Sequence, residues 1–151
     1  MKILTRLIAF CICLLLLFSC GCAMQEQDVM SMLCERTDRL QYREVLAGDW
    51  QGELTDEADI RAVLSMLCEV ELVRSEEDGL PSALYTASML MGQLSMQCSV
   101  PRDKATYGVS VTKGGLLYVT VIEADGNSTV YYSEEGAVDY DTVLRLLVEA
   151  K

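Results

Sequence analysis

The chain has 151 residues and carries 12 Lys+Arg against 23 Asp+Glu, a net charge of -11, with no histidine. That length suits one compact domain with a sizeable core. The charge excludes a nucleic-acid binder, which needs clustered cations against phosphate. The missing histidine excludes Ser-His and Cys-His catalysis, histidine-ligated metals and the usual pH switch.

In chain order, Lys2 and Arg6 precede an uncharged apolar run from Leu7 to Phe18. Twelve residues match the apolar region of a signal peptide and are short for a helix crossing about 30 Å of hydrocarbon. Leu17-Phe18-Ser19-Cys20 follows. This tetrapeptide resembles the lipobox of bacterial lipoproteins. The resemblance implies cleavage before Cys20, diacylation of its thiol, and a membrane-anchored protein on the extracytoplasmic face. Phe18 is bulkier than the residue usual at its place, and Cys22 after Gly21 is an alternative acceptor. Two other readings stay open: an uncleaved anchor helix running on through Met24, and ordinary cleavage near Gly21-Cys22-Ala23 that releases the chain. Two acyl chains hold a protein at a membrane stably, where one holds it only marginally. Without residues 1–19 the chain keeps 10 basic and 23 acidic residues, a charge of -13 that an anionic membrane surface repels.

Residues 20–45 then read as a stalk or a short amphipathic helix, with Val29, Leu33, Arg36 and Leu40 at helical spacing. The domain proper is expected over 46–151. Trp50–Leu54 alternates weakly, as a short strand would. Asp56 can cap a helix whose stripe is Ile60, Val63, Leu64 and Leu67; Asp139 repeats the design ahead of Tyr140, Val143, Leu144 and Leu147. Val70 and Leu72 mark a short strand ending in the solvated run Arg74–Gly79. Residues 82–100 carry a helical stripe at Leu84, Ala87, Met91, Leu94 and Cys98, yet 93–100 alternates polar and apolar, which favours a strand. Thr106–Thr112, Leu116–Glu123 and Ser128–Ser133 form three strands joined by Lys113-Gly114-Gly115 and Asp125-Gly126-Asn127. The expected fold is therefore α+β: an antiparallel meander with two amphipathic helices packed on one face.

The chemical motifs are weak. Asp56-Glu57-Ala58-Asp59 spells a helicase string but opens a helix and lacks a phosphate loop. Ser110-Val111-Thr112-Lys113 matches the S-x-x-K of penicillin-binding proteins, but mid-strand and without that family's companion motifs. Asn127-Ser128-Thr129 is a glycosylation sequon by letter, and Asn127 reads as a turn residue tolerating positive φ. Seven cysteines show no CxxC. With Cys20 acylated, Cys22, Cys34, Cys68 and Cys98 permit three disulfide pairings, or stay as buried thiols. Neither a metal site nor a cofactor is expected.

A sheet covered on one side should be polar on the other. Leu117, Val119 and Val121 take the covered face, which leaves Tyr118, Thr120 and Ile122, with Tyr131 beside them, as a candidate surface for a protein or peptide partner. Coverage of this surface by residues 82–100 or the N-terminal segment is the competing reading. A non-enzymatic, lipid-anchored interaction module is thus the leading expectation. A small envelope hydrolase using carboxylates such as Glu123, Glu134 or Asp139, or a plain tether, are the alternatives.

Overall fold

The computed structural model describes residues 28–45, 48–77, 79–85 and 92–150. The expected signal peptide and acylation site, with Cys20 and Cys22, lie outside them. The protein is α+β, with helices α1 (Asp28–Arg36), α2 (Glu57–Cys68) and α3 (Tyr140–Glu149) and strands β1 (Arg39–Glu44), β2 (Gly52–Leu54), β3 (Val73–Arg74), β4 (Gln93–Ser99), β5 (Thr106–Thr112), β6 (Leu117–Ile122) and β7 (Ser128–Tyr132). All seven strands form one antiparallel sheet in the order β2-β1-β4-β5-β6-β7-β3. Among the described residues no helix is long and apolar enough to cross a membrane.

The meander β4–β7 follows from period two and from its turns. Leu94, Met96 and Cys98 of β4 stand opposite Val111, Val109 and Tyr107 of β5, which stand opposite Leu117, Val119 and Val121 of β6. All nine are buried in one core with Leu40, Ile60, Val63, Leu64, Leu67, Val143 and Leu147. The helices therefore lie on this face. Both expected caps are present. Asp56 Oδ1 accepts from the Ala58 and Asp59 amides at 2.8 and 3.3 Å, and Asp139 Oδ1 from the Asp141 and Thr142 amides at 3.1 and 3.4 Å.

Residues 93–99 are a strand, as their alternation favours. Three details differ from expectation. Among the described residues α1 also belongs to the covering layer, because it packs on α2, and α2 packs on α3. Of the two readings of residues 20–45, the short helix is present as α1, and with Val29, Met30, Leu33 and Leu40 buried in the common core, residues 28–44 belong to the domain expected to start at 46. Finally, Gly126, at φ +89°, takes the left-handed place in the β6–β7 turn; Asn127 is held there by Asp125, whose carboxylate accepts from its amide at 2.9 Å and from its Nδ2 at 2.7 Å.

One close approach locks the meander to α3. The Gly136 amide donates to Gly114 O at 2.9 Å and the Val138 amide to Gly115 O at 3.0 Å, so the chain leaving β7 crosses the β5–β6 turn. Gly115 has φ +78°, and a Cβ on it would lie 2.6 Å from Val138 O and 2.8 Å from Gly136 Cα. Only glycine fits that crossing.

Candidate functional site

The face of the sheet opposite α1, α2 and α3 divides into two halves. The β4–β1–β2 half is polar, with Gln93, Ser95 and Gln97 on β4, Gln41 and Arg43 on β1, and Glu53 on β2. The Gln41 amide group donates to the Glu53 carboxylate at 2.9 Å. The β6–β7–β3 half carries Tyr118, Thr120 and Ile122, then Val130 and Tyr132, then Val73. Val73 and Ile122 are 44% and 42% exposed, large values for aliphatic side chains within a sheet.

The β6–β7 register corrects one of the expected residues. Tyr118 pairs with Tyr132, whereas Tyr131 stands opposite Val119 and packs on the helix-side core. Tyr132 therefore takes the place expected for Tyr131. Tyr118, Thr120 and Ile122 lie where the alternation puts them. A hairpin register displaced by one residue exchanges the faces of a whole strand, and two adjacent tyrosines conceal the exchange.

Tyr118 binds the two halves together. Its hydroxyl donates to Gln93 Oε1 at 2.9 Å, reaching from β6 over β5 to β4. Beneath that bridge are Ser110 and Thr112, 6% and 2% exposed. Ser110 is thus a small residue roofed by a tyrosine on the sheet, and Lys113 lies in the following turn with its ammonium 5.8 Å from the Tyr140 ring centroid. The S-x-x-K letters do not build a nucleophile at a helix start. In the middle of the face is Gly108, opposite Thr120 and Gln97, where an added Cβ would come no closer than 3.9 Å to anything.

The carboxylates named for hydrolysis are placed separately. Glu134 lines a cleft of about 740 Å³ at the β3 edge with Glu69, Glu71, Val70, Val73 and Tyr132. All three glutamates there are exposed. General acid chemistry at neutral pH needs one carboxyl held out of water, and among the described residues no Asp or Glu is buried. Asp139 is held below the ordinary aspartate range by hydrogen bonds from the Thr142 hydroxyl and amide, which mark it as a cap. Glu123 follows β6 at the rim of the β6–β7 turn, its amide bonded to Asn127 O.

Among the described residues no group of three or more acidic or cysteine side chains could hold a metal ion. Cys98 lies inside the core, where burial pushes its thiol up to about 12. The short strand expected around Val70 and Leu72 is displaced to Val73–Arg74, with Leu72 buried in the core, so sequence reasoning did not place Val73 on this face. Its only signal was the apolar step from Leu72 to Val73 ahead of a charged run. No family model matches the chain, and no curated protein or solved structure matches it.

Proposed function

We propose that this is an exported, lipid-anchored interaction module that captures a protein or peptide on the face of its sheet opposite α1, α2 and α3. The supporting observation is the apolar half of that face, where Val73 and Ile122, the exposed aliphatic side chains, flank Tyr118 and Tyr132 beside a Gln/Ser-rich half. Aromatic and aliphatic anchors next to hydrogen-bonding side chains are what polypeptide interfaces use at core and rim. Anchorage rests on the Leu17–Cys20 lipobox-like segment, and diacylation of Cys20 is the covalent form proposed for it; Cys22 is the alternative acceptor. The face offers aromatic, aliphatic and amide side chains for adhesion, and the module is non-enzymatic in this reading.

Gly108 supplies the test. Gly108→Arg places a long side chain in the centre of the face, at a position where the added Cβ meets nothing closer than 3.9 Å. The expected result is a Tm within about 2 °C of the parent and loss of partner capture by photo-crosslinking on intact envelopes. Undiminished capture by the folded variant would refute the assignment of this face. Anchorage is tested separately: intact mass should show a diacylated chain beginning at Cys20 that is lost in Cys20→Ala, and an unmodified chain would exclude it.

A further inference from the structure

The cysteines of α1 and α2 are placed together. Cys34 is in the last turn of α1 and Cys68 is the last residue of α2, and the two helices pack on one another. The Cys68 thiol donates to the carbonyl of Met30 at 3.3 Å. Within a helix that carbonyl is the partner of the Cys34 amide, four residues on, and the Cα–Cβ bond of Cys34 tilts back toward it. The Cys34 sulfur is thereby directed at the spot the Cys68 sulfur occupies, and the two thiols are in side-chain contact. Both are half-buried free thiols, whereas Cys98 is on the covered face of β4.

From this juxtaposition we infer that Cys34 and Cys68 are a disulfide site that staples α1 to α2 once the chain reaches an oxidising exterior. The inference rests on the export proposed above. The oxidant is a disulfide-bearing donor, either a thiol oxidoreductase or a small disulfide. Cys34 as thiolate attacks one donor sulfur; the donor S–S bond breaks, leaving a mixed disulfide and one donor thiolate. Cys68 gives its proton to solvent and attacks the Cys34 sulfur, expelling the second donor thiolate. In sum, two protein S–H bonds are exchanged for one S–S bond, and the donor receives two electrons and two protons. Cys34 is the entry point, because the Cys68 thiol is engaged with Met30 and is pushed up to about 12 by burial and by Cys34 beside it. The bond closes a loop of about 35 residues, long enough to restrict the unfolded chain strongly.

The test uses the full chain purified in detergent, equilibrated with oxidised glutathione, alkylated with N-ethylmaleimide and digested for mass spectrometry. A peptide pair joined through Cys34 and Cys68, 2 Da below the sum of its thiols, is expected. Reduction should then lower Tm by about 10 °C in the parent and leave Cys34→Ser unchanged. Full alkylation of both cysteines, or Cys34 joined to Cys22 or to another molecule, would overturn the site. The same digest of acid-quenched cells separates this result from the export reading: a pair that closes in glutathione but is recovered reduced from cells supports the geometry and refutes export to an oxidising exterior.

Discussion

Two glycines of the meander have the same sign of φ and opposite surroundings, so they separate backbone strain from steric crowding. Gly126 (φ +89°) has nothing within 4 Å of a notional Cβ, whereas Gly115 (φ +78°) would meet Val138 O at 2.6 Å and Gly136 Cα at 2.8 Å. Alanine in the left-handed region costs about 1–2 kcal/mol. Part of that, about 0.4–1 kcal/mol, is returned by the stiffer unfolded chain. Gly126→Ala is therefore expected to lose about 1 kcal/mol. Gly115→Ala carries the same strain and must also push the 136–138 segment away, breaking the two backbone hydrogen bonds of 2.9 and 3.0 Å that hold the crossing. At about 1 kcal/mol each, these raise its loss to about 3 kcal/mol. Urea denaturation followed by circular dichroism reads the difference as a midpoint shift at constant slope. In a thermal scan it is about 8 °C between the two variants. Equal losses would refute the argument, since they would mean that the crossing yields freely and does not tie α3 to the sheet.

Other expectations follow from the same structure. Leu33→Ala, in α1, should cost about 3 kcal/mol, as a core truncation does; a loss under about 0.5 kcal/mol would return residues 28–36 to the role of a stalk. Asp56→Ala should cost about 1 kcal/mol through the lost cap of α2, measured by urea titration, with Asp56→Asn retaining most of it. Tyr107 and Tyr140 are both pushed up to about 12, chiefly by burial and then by donating to Asp103 and Glu44 at 2.9 Å. A folded-state pKa above the unfolded one gives stability that is complete below about pH 10 and is lost as pH rises toward 12. Absorbance at 295 nm should show two of the seven tyrosines ionising late, one fewer in Tyr140→Phe, and a single wave near pH 10 would refute the two contacts. Asp103 is displaced downward, first by the Ala105 amide and then by the Tyr107 hydroxyl. Its contribution is present above the unfolded aspartate value and fades as pH falls through the lower folded one, which Asp103→Asn should abolish in an acid titration.

Those elements whose signals are local were legible. The stripes of α2 and α3, their aspartate caps, and the alternation of β4 through β7 each lie within a dozen residues, and each is present. β1 was not legible, because Arg39-Leu-Gln-Tyr-Arg-Glu44 buries only Leu40 and owes its strand geometry to pairing with β4, some fifty residues away. The face of Tyr131 was misplaced for a related reason. Alternation gives two possible phases, and Ile122 standing opposite Ser128 selects between them. Much of the candidate surface could be read from β6 alone, but Val73 could not, since the chain must pass along α2 to the far edge of the sheet before β3 is laid against β7. The Cys34–Cys68 contact is likewise a product of helix packing, to which the spacing of cysteines in the chain is blind.

The burial of α1 also changes the length of the leash. If Cys20 carries the proposed lipid, the chain from it to Asp28, the first residue of α1, is only about eight residues long. Fully extended, it reaches about 27 Å, where a stalk through residue 45 would have reached several times further. So short a tether would keep the acidic domain from retreating far from the headgroups that repel it and would leave it free only to turn. Under that proposal its start at α1 would be drawn to the membrane while its acidic surface would be pushed outward. An incoming polypeptide would then have to work in a shallow layer about one domain deep, and such an anchor would favour partners that already reside at the membrane surface.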